Sequence, residues 1–199
     1  MNNKIQSKSV AAIVACFTKR VAMTAIIAVT ISFAANAQNG KHQPGDMSFG
    51  GHVIHFMDDG FSLTGIGAKF RYTVLEQLRV EAGFSYFFPN EQRILGIAVN
   101  QNMLDFSVNA HWLFAMNERF TLYPLAGLGL VNLRTTVTAD AIGLDGNTSE
   151  SHLIMNFGGG AELQLSDNIS VHIEPRLLRI FEDTNRGAFT ISAGVMFNF

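Results

Sequence analysis

The sequence predicts an all-β chain, an eight-stranded antiparallel up-and-down transmembrane β-barrel, on three observations. From Met47 onward, apolar and polar residues alternate with period two in stretches of about ten, which is the pattern of strands and not of helices. The connections between these stretches alternate between short turns and longer, more polar loops. Only 15% of the chain is charged, against the roughly 25–35% of a water-exposed surface, so something other than water covers part of it.

The first 37 residues read as a leader. Lys19 and Arg20 precede the uncharged run VAMTAIIAVTISFAANA, which closes on Ala35-Asn36-Ala37. A basic start, an apolar stretch and small residues at Ala35 and Ala37 predict a signal peptide cleaved after Ala37 and export through the Sec pathway. Cys16, the chain's one cysteine, ends an IVAC stretch that resembles a lipoprotein box, but a longer apolar run follows it, which favours ordinary cleavage. The mature chain then has no thiol for disulfide chemistry. Four basic residues (Lys4, Lys8, Lys19, Arg20) leave with the leader while all 16 acids stay, so the remainder is acidic and nucleic acid is not an expected partner. Residues 38–46 read as a flexible lead and 47–199 as the barrel domain, in which no apolar run approaches the ~20 residues of a membrane helix.

The eight strands are expected over 47–56, 61–74, 78–88, 95–114, 120–134, 152–165, 169–181 and 187–199. Leu75–Gln77, Ala115–Arg119 and Ser166–Asn168 are the short turns. The loops at 57–60, 89–94, 135–151 and 182–186 are longer, and 135–151 (TTVTADAIGLDGNTSES) is expected to be a mobile outer loop. Short turns on one side and longer loops on the other is the layout of outer-membrane barrels.

Alternation alone does not say which face meets water. In the third strand Leu78, Val80, Ala82, Phe84, Tyr86 and Phe88 face one way, and Arg79, Glu81, Gly83, Ser85 and Phe87 the other. The polar face is mostly glycine, serine and isolated charges, unlike a solvated exterior, which points it inward. Aromatic residues gather in two sets: Phe56, Phe61, Tyr86, Phe87, Phe88, Phe181 and Phe189 near the loops, and Tyr72, Trp112, Phe114, Phe120, Tyr123, Phe197 and Phe199 near the turns. They are expected to form girdles at the two membrane interfaces. The phase of the first strand stays open, so His52 and His55 are not assigned to a face.

Closing hairpins about the short turns gives a register. Arg71 should face Glu81, Lys69 Gly83, and Gly67 Ser85. Glu162 should face His172, Gly160 Glu174, and Gly158 Arg176. Across the middle turn, His111 should face Tyr123, Ser107 Gly127, and Asp105 Gly129. Long polar side chains thus meet an opposite charge, a hydrogen-bonding group or a glycine. In an eight-stranded barrel the interior is just filled by side chains, so Lys69, Arg71, Arg79, Glu81, Asp105, His111, Glu162, His172, Glu174 and Arg176 are expected to form a polar plug. Pro124 is tolerable near the start of its strand, while Pro175, in mid-strand, is expected to mark a bulge or bend.

The last strand sets Ile191, Ala193, Val195, Phe197 and Phe199 against Ser192, Gly194, Met196 and Asn198. With Ser192, Gly194, Phe197 and Phe199 spaced as polar-x-Gly-x-x-hydrophobic-x-aromatic, and with the stretches GIGAKFRY, YPLAGLGL and FGGGAELQLSDNISV, the chain resembles the bacterial outer-membrane-protein β-barrel domain family, the small barrels of the OmpX and OmpA kind. The resemblance spans about 47–199. It implies that the carboxyl-terminal pattern is an assembly signal read by the barrel assembly machinery, and that lipid and lipopolysaccharide of the outer membrane surround the barrel. The family includes structural proteins, adhesins and a few lipid-modifying enzymes, so it leaves activity open.

Ser170, His172 and Glu174 share one strand face with Glu162 opposite, and lipid A deacylases combine such groups. Here Ser170 follows a turn at the inner side, and i, i+2 residues lie ~6.8 Å apart, so a structural role is the stronger reading. The loop acids Asp58, Asp59, Glu182, Asp183, Asp140, Asp145 and Glu150 could bridge lipopolysaccharide phosphates through divalent cations, but solvated acids are the simpler reading. His42, His52, His55 and His152 lack metal-ligand spacing, and no glycine motif has a helix after it to cradle phosphate. The expectation is a monomeric, plugged barrel, not an enzyme, without cofactor or metal, having a structural or surface-interaction role with an unknown extracellular ligand. Passive passage of small solutes is the main alternative, and a soluble lipocalin-like barrel and a lipid-modifying enzyme are the lesser ones.

Overall fold

The computed structural model describes residues 42–58, 61–94, 97–139, 144–181 and 186–199. The leader and its cleavage residues Ala35 and Ala37 lie outside these, as do Asp59, Asp140, Glu182 and Asp183 among the loop acids. Nine strand segments follow in order: β1 Met47–Asp58, β2 Phe61–Leu75, β3 Leu78–Ile94, β4 Ile97–Trp112, β5 Phe114–Ala115, β6 Phe120–Ala139, β7 Leu144–Ser166, β8 Ile169–Phe181 and β9 Arg186–Asn198. β4 and β5 are one strand interrupted at Leu113. Each strand pairs antiparallel with its sequence neighbour, β1 pairs with β9, and the ring runs through all eight without an open edge. Closure satisfies the backbone hydrogen bonds that hydrocarbon cannot.

Two of the three hairpins have the register read from the sequence, Arg71↔Glu81, Lys69↔Gly83 and Gly67↔Ser85 at one turn, and Glu162↔His172 and Gly158↔Arg176 at another. The third is corrected by two residues: His111 pairs with Leu125, Ser107 with Gly129 and Asp105 with Val131. The Asn117 carboxamide oxygen accepts from the backbone N–H of Arg119 and Phe120 at 2.9 and 2.8 Å, while Met116 N–H donates to Phe120 O at 2.9 Å. That Asx-type cap centres the turn one residue later than symmetry suggests. A shift of two keeps every side chain on its face.

The two prolines act through the N–H they lack. Opposite Pro124 the ladder skips from His111↔Leu125 to Phe114↔Leu122, while on its other side the strand stays paired, with Leu113 N–H donating to Gln77 O at 2.8 Å. Pro175 is not the expected bulge. Pairing lapses between Gly158↔Arg176 and Ala161↔Ile173, so Gly160 and Glu174 are not partners there, yet the register on both sides is the same.

The exterior is apolar: Phe84, Phe106, Leu128, Phe157, Leu177 and Phe197 are all about half exposed. Three aromatics expected in the girdles point inward instead: Phe56, Phe87 and Tyr123 are buried. Strand one resolves its phase, with His52 inward and His55 outward, bonded to Thr64. Further corrections lie at the loop end. Residues 135–139 and 144–151, expected to be a mobile loop, continue β6 and β7 as a paired ribbon to Ala139↔Leu144, and 90–94 extends β3. Thr135, Thr136, Val137 and Thr138 are β-branched and suit a strand, although their polarity reads as loop.

The lead is tied down where it is described. Gly45 N–H donates to Thr73 O at 2.8 Å, Thr73 N–H to Asp46 O at 2.9 Å, and His42 Nε2 lies 3.2 Å from Thr121 Oγ1. Burial, aided by nearby Arg79, holds His42 below its usual 6.5. A lowered docked value means that docking is at full strength above 6.5 and weakens as pH falls below it. Gly45 amide exchange, corrected for the intrinsic rate, should therefore quicken between about pH 7.5 and about pH 5. A Cβ at Gly127 would lie 2.2 Å from Val108 O, whereas one at Gly146 meets nothing within 4 Å. Gly127→Val should lower unfolding stability in urea by ~1–3 kcal/mol, and Gly146→Val by less than ~0.5 kcal/mol.

Candidate functional site

Inward positions divide the lumen into two layers. At the end with the short turns, β2 supplies Lys69 and Arg71, β3 Arg79 and Glu81, β4 Asp105 and His111, β6 Tyr123, β7 Glu162, and β8 Ser170, His172, Glu174 and Arg176, all of them buried. At the loop end the same faces carry Ile54, Phe56, Leu63, Phe87, Met103, Val131, Ile154, Leu178, Ile180 and Ala188, which form one apolar cluster. Phe56 and Phe87 meet edge to face at 6.1 Å. The sequence reading missed this upper layer because it assigned aromatics near strand ends to the membrane interface, when the inward parity of Phe87 already argued otherwise.

Arg71 is the hub of the polar layer. Its Nε donates to Glu81 Oε2 at 2.7 Å, and its two terminal nitrogens to Glu174 Oε1 at 2.6 Å, Glu162 Oε2 at 3.1 Å and the Tyr123 hydroxyl at 3.3 Å. Lys69 is bonded to Glu174 and lies 3.5 Å from Glu81. Arg79 donates to Glu162 at 2.8 Å, and Tyr123 to Glu174 at 2.7 Å. The Tyr123 ring stacks on His111 at 4.7 Å and has the Arg79 guanidinium 5.0 Å from its centroid. Three cations thus interlock with three carboxylates. Between the layers, Asp105 and Arg176 balance one another in sign while Asp105 Oδ1 and Arg176 Nε have no hydrogen-bond partner among the described residues.

Two chemistries fail on this geometry. Ser170 Oγ donates to Glu162 Oε1 at 2.9 Å, and neither nitrogen of His172 has a partner among the described residues, so these contacts form no proton relay from Ser170 through His172. Glu81, His111 and Glu174 place one ligand atom each within 4.8 Å of one another. Both carboxylates are already matched by Lys69 and Arg71, and a divalent ion would add two uncompensated charges to a buried site, so these residues do not fit a metal.

Above the apolar layer four strands continue alone. β3 pairs with β4 as far as Ile94↔Ile97, β4 with β6 to Ala98↔Thr138, and β6 with β7 to Ala139↔Leu144. In contrast, β2 leaves β3 at Gly65↔Phe87, and β8 leaves β7 at Leu153↔Phe181. Among the described residues the result is a four-stranded sheet beyond the barrel with edges at 88–94 and 144–151.

The model of the outer membrane protein beta-barrel domain matches residues 24–197. The chain belongs to this family. Outer-membrane localisation follows from that membership. Among solved structures, it is similar to Ail, the attachment invasion locus protein of Yersinia pestis (18% identity, 79% of this chain and 100% of that one, TM-score 0.54). It is also similar to Neisserial surface protein A (15%, 79% and 98%, 0.53) and to the N-terminal β-barrel domain of Pseudomonas aeruginosa OprF (16%, 79% and 100%, 0.52). At these identities the likeness concerns the fold. No curated protein matches the chain.

The carboxyl-terminal pattern runs from β9 to Phe199 just beyond it; Ser192 faces the lumen, and Phe197 and Phe199 are exposed. Arg71→Met would leave Glu81 and Glu174 buried without their shared guanidinium, and should cost ~3–5 kcal/mol in urea unfolding of the refolded barrel. Adding Glu81→Met should cost less than the two single losses together, since each removes the other's partner.

Proposed function

We propose that this family member is a sealed, non-enzymatic outer-membrane barrel that engages an extracellular partner through the sheet rising from its loop end. The observation that carries the reading is the open edge of β7 at 144–151, whose outer side has no strand partner among the described residues. Its sequence, LDGNTSES, has neither proline nor lysine, the usual guards of an exposed edge. An extended segment of another protein could add to it by main-chain hydrogen bonds, with Thr148 and its neighbours deciding specificity. On this reading the short turns and both ends of 47–199 face the periplasm, the barrel acts as a monomer, and the machinery that assembles such barrels reads β9.

The ion-pair layer and the apolar layer stack across the lumen and support sealing. Passive passage of small solutes, the competing reading, would need both to part. Planar-bilayer recording separates the two: the sealed barrel should give no stable large conductance steps, and such steps would favour passage. For the interaction, cells displaying the full chain and a variant with 135–151 replaced by an Asn-Gly turn should be compared on immobilised extracellular-matrix and serum proteins. Shortening should abolish binding while the barrel keeps its heat-dependent gel mobility. Equal binding by both would reject the sheet as the contact surface.

A further inference from the structure

On the outside of the barrel, at its loop end, a groove of about 730 Å³ runs across β8 and β9. Met57, Phe157, Leu177, Arg179 and Phe189 line it, with Asp58 at its rim. Arg179 stands on the outward face, alternating with Leu177 and Phe181, and Met155 and Gly187 are its cross-strand partners. Its guanidinium forms no ion pair with any described residue. Leu177 at 61% and Phe157 at 47% exposure provide an apolar floor beside it.

The height of Arg179 decides what can reach it. The outward residues of β8 below it, Ile169, Val171, Ile173, Pro175 and Leu177, are all apolar. Eight residue rises of ~3.4 Å at a tilt of ~40° span ~21 Å, close to the ~25 Å apolar band of such barrels. Arg179 is the next outward position, so it emerges where hydrocarbon gives way to headgroups. Gly187, opposite it, withholds a side chain: a Cβ there would meet only Leu178 O, at 4.0 Å. A guanidinium with no ion pair among the described residues, at headgroup height, above an apolar floor and beside an open position, is the arrangement that would hold an acyl chain and an anionic headgroup together.

We infer that this groove binds a phosphate-bearing acyl lipid of the outer leaflet, a lipid A-type glycolipid. Arg179 grips the phosphate through its paired N–H donors, and Phe157, Leu177 and Phe189 hold the acyl chain. The inference takes from the proposed function only that the loop end faces outward. It is independent of the projecting sheet, which can fail as a contact surface without touching the groove.

The test places a photoreactive side chain where the backbone has room for it. The full barrel carrying Gly187→p-benzoylphenylalanine is reconstituted in nanodiscs of phosphatidylcholine alone, with phosphatidylglycerol, or with lipid A. After irradiation, adducts are weighed by mass spectrometry, with gel mobility as the check that each variant is folded. Lipid A should dominate the adducts beyond its share of the bilayer, and Arg179→Gln should reduce that adduct about fivefold or more while Arg179→Lys keeps part of it. Adducts that follow bilayer composition, or that Arg179→Gln leaves unchanged, would overturn the proposal. So would equal preference for phosphatidylglycerol, which makes the site one for any anion, or cross-links to a second copy of the chain, which make it a protein contact.

Discussion

One guanidinium, that of Arg71, is shared among carboxylates on β3, β7 and β8 and a hydroxyl on β6. Only β3 is its neighbour in the sheet; the other three lie across the lumen. Charges taken out of water persist only when paired, so the polar layer is satisfied only once the ring has closed. A buried ion pair contributes little net stability compared with an apolar filling of the same shape. Its strength is discrimination: a one-residue slip of β2 would turn Lys69 and Arg71 to hydrocarbon and leave Glu81 and Glu174 without counter-charge, while Glu162 would keep only Arg79.

Room for this network comes from residues that contribute nothing to it chemically. A Cβ at Gly160 would sit 2.5 Å from the Tyr123 ring, and one at Gly194 2.8 Å from His172 Cε1. Tyr123 can therefore lie flat on His111 and still reach Glu174 with its hydroxyl. The apolar layer above needs no such pairing rules, and it fills the remaining lumen with Phe56, Phe87, Met103 and Ile154. Two fillings with different demands thus share one cylinder, with Asp105 and Arg176 between them.

Much of this was legible in the residues. Period-two alternation identified the strands and their faces, because a membrane barrel must repeat the same inside-outside choice in every strand. The hairpins at Leu75–Gln77 and Ser166–Asn168 gave their registers by symmetry, since nothing there breaks it. The Asn117 cap broke it at the third turn, and such caps are visible only once the chain has bent. Tyr123 and Phe87 were misread because aromatic residues near strand ends serve interfaces and interiors alike; parity was the better guide. The ribbon of 135–139 and 144–151 escaped notice because its threonines carry strand propensity without an apolar face, and the serines and asparagine among them read as loop.

That ribbon also shows where the membrane's constraint ends. In hydrocarbon a sheet cannot keep an edge, because an unpaired N–H or C=O has no partner there; in water the same edge is solvated and permitted. The ring opens at Gly65↔Phe87 on one side and Leu153↔Phe181 on the other, and Phe88 and Phe181 are exposed at that level. Beyond it the pattern of one buried face is lost: residues 146–151 are exposed at every position, and Asn132 reaches Ser149 and Ser151 at 3.1 and 2.9 Å. On β7 the passage from closed to open sheet therefore coincides with the passage from alternating to mostly polar sequence, as expected if both mark the outer boundary of the bilayer. Arg179, the first outward charge on β8, lies two residues before Phe181, at that same boundary.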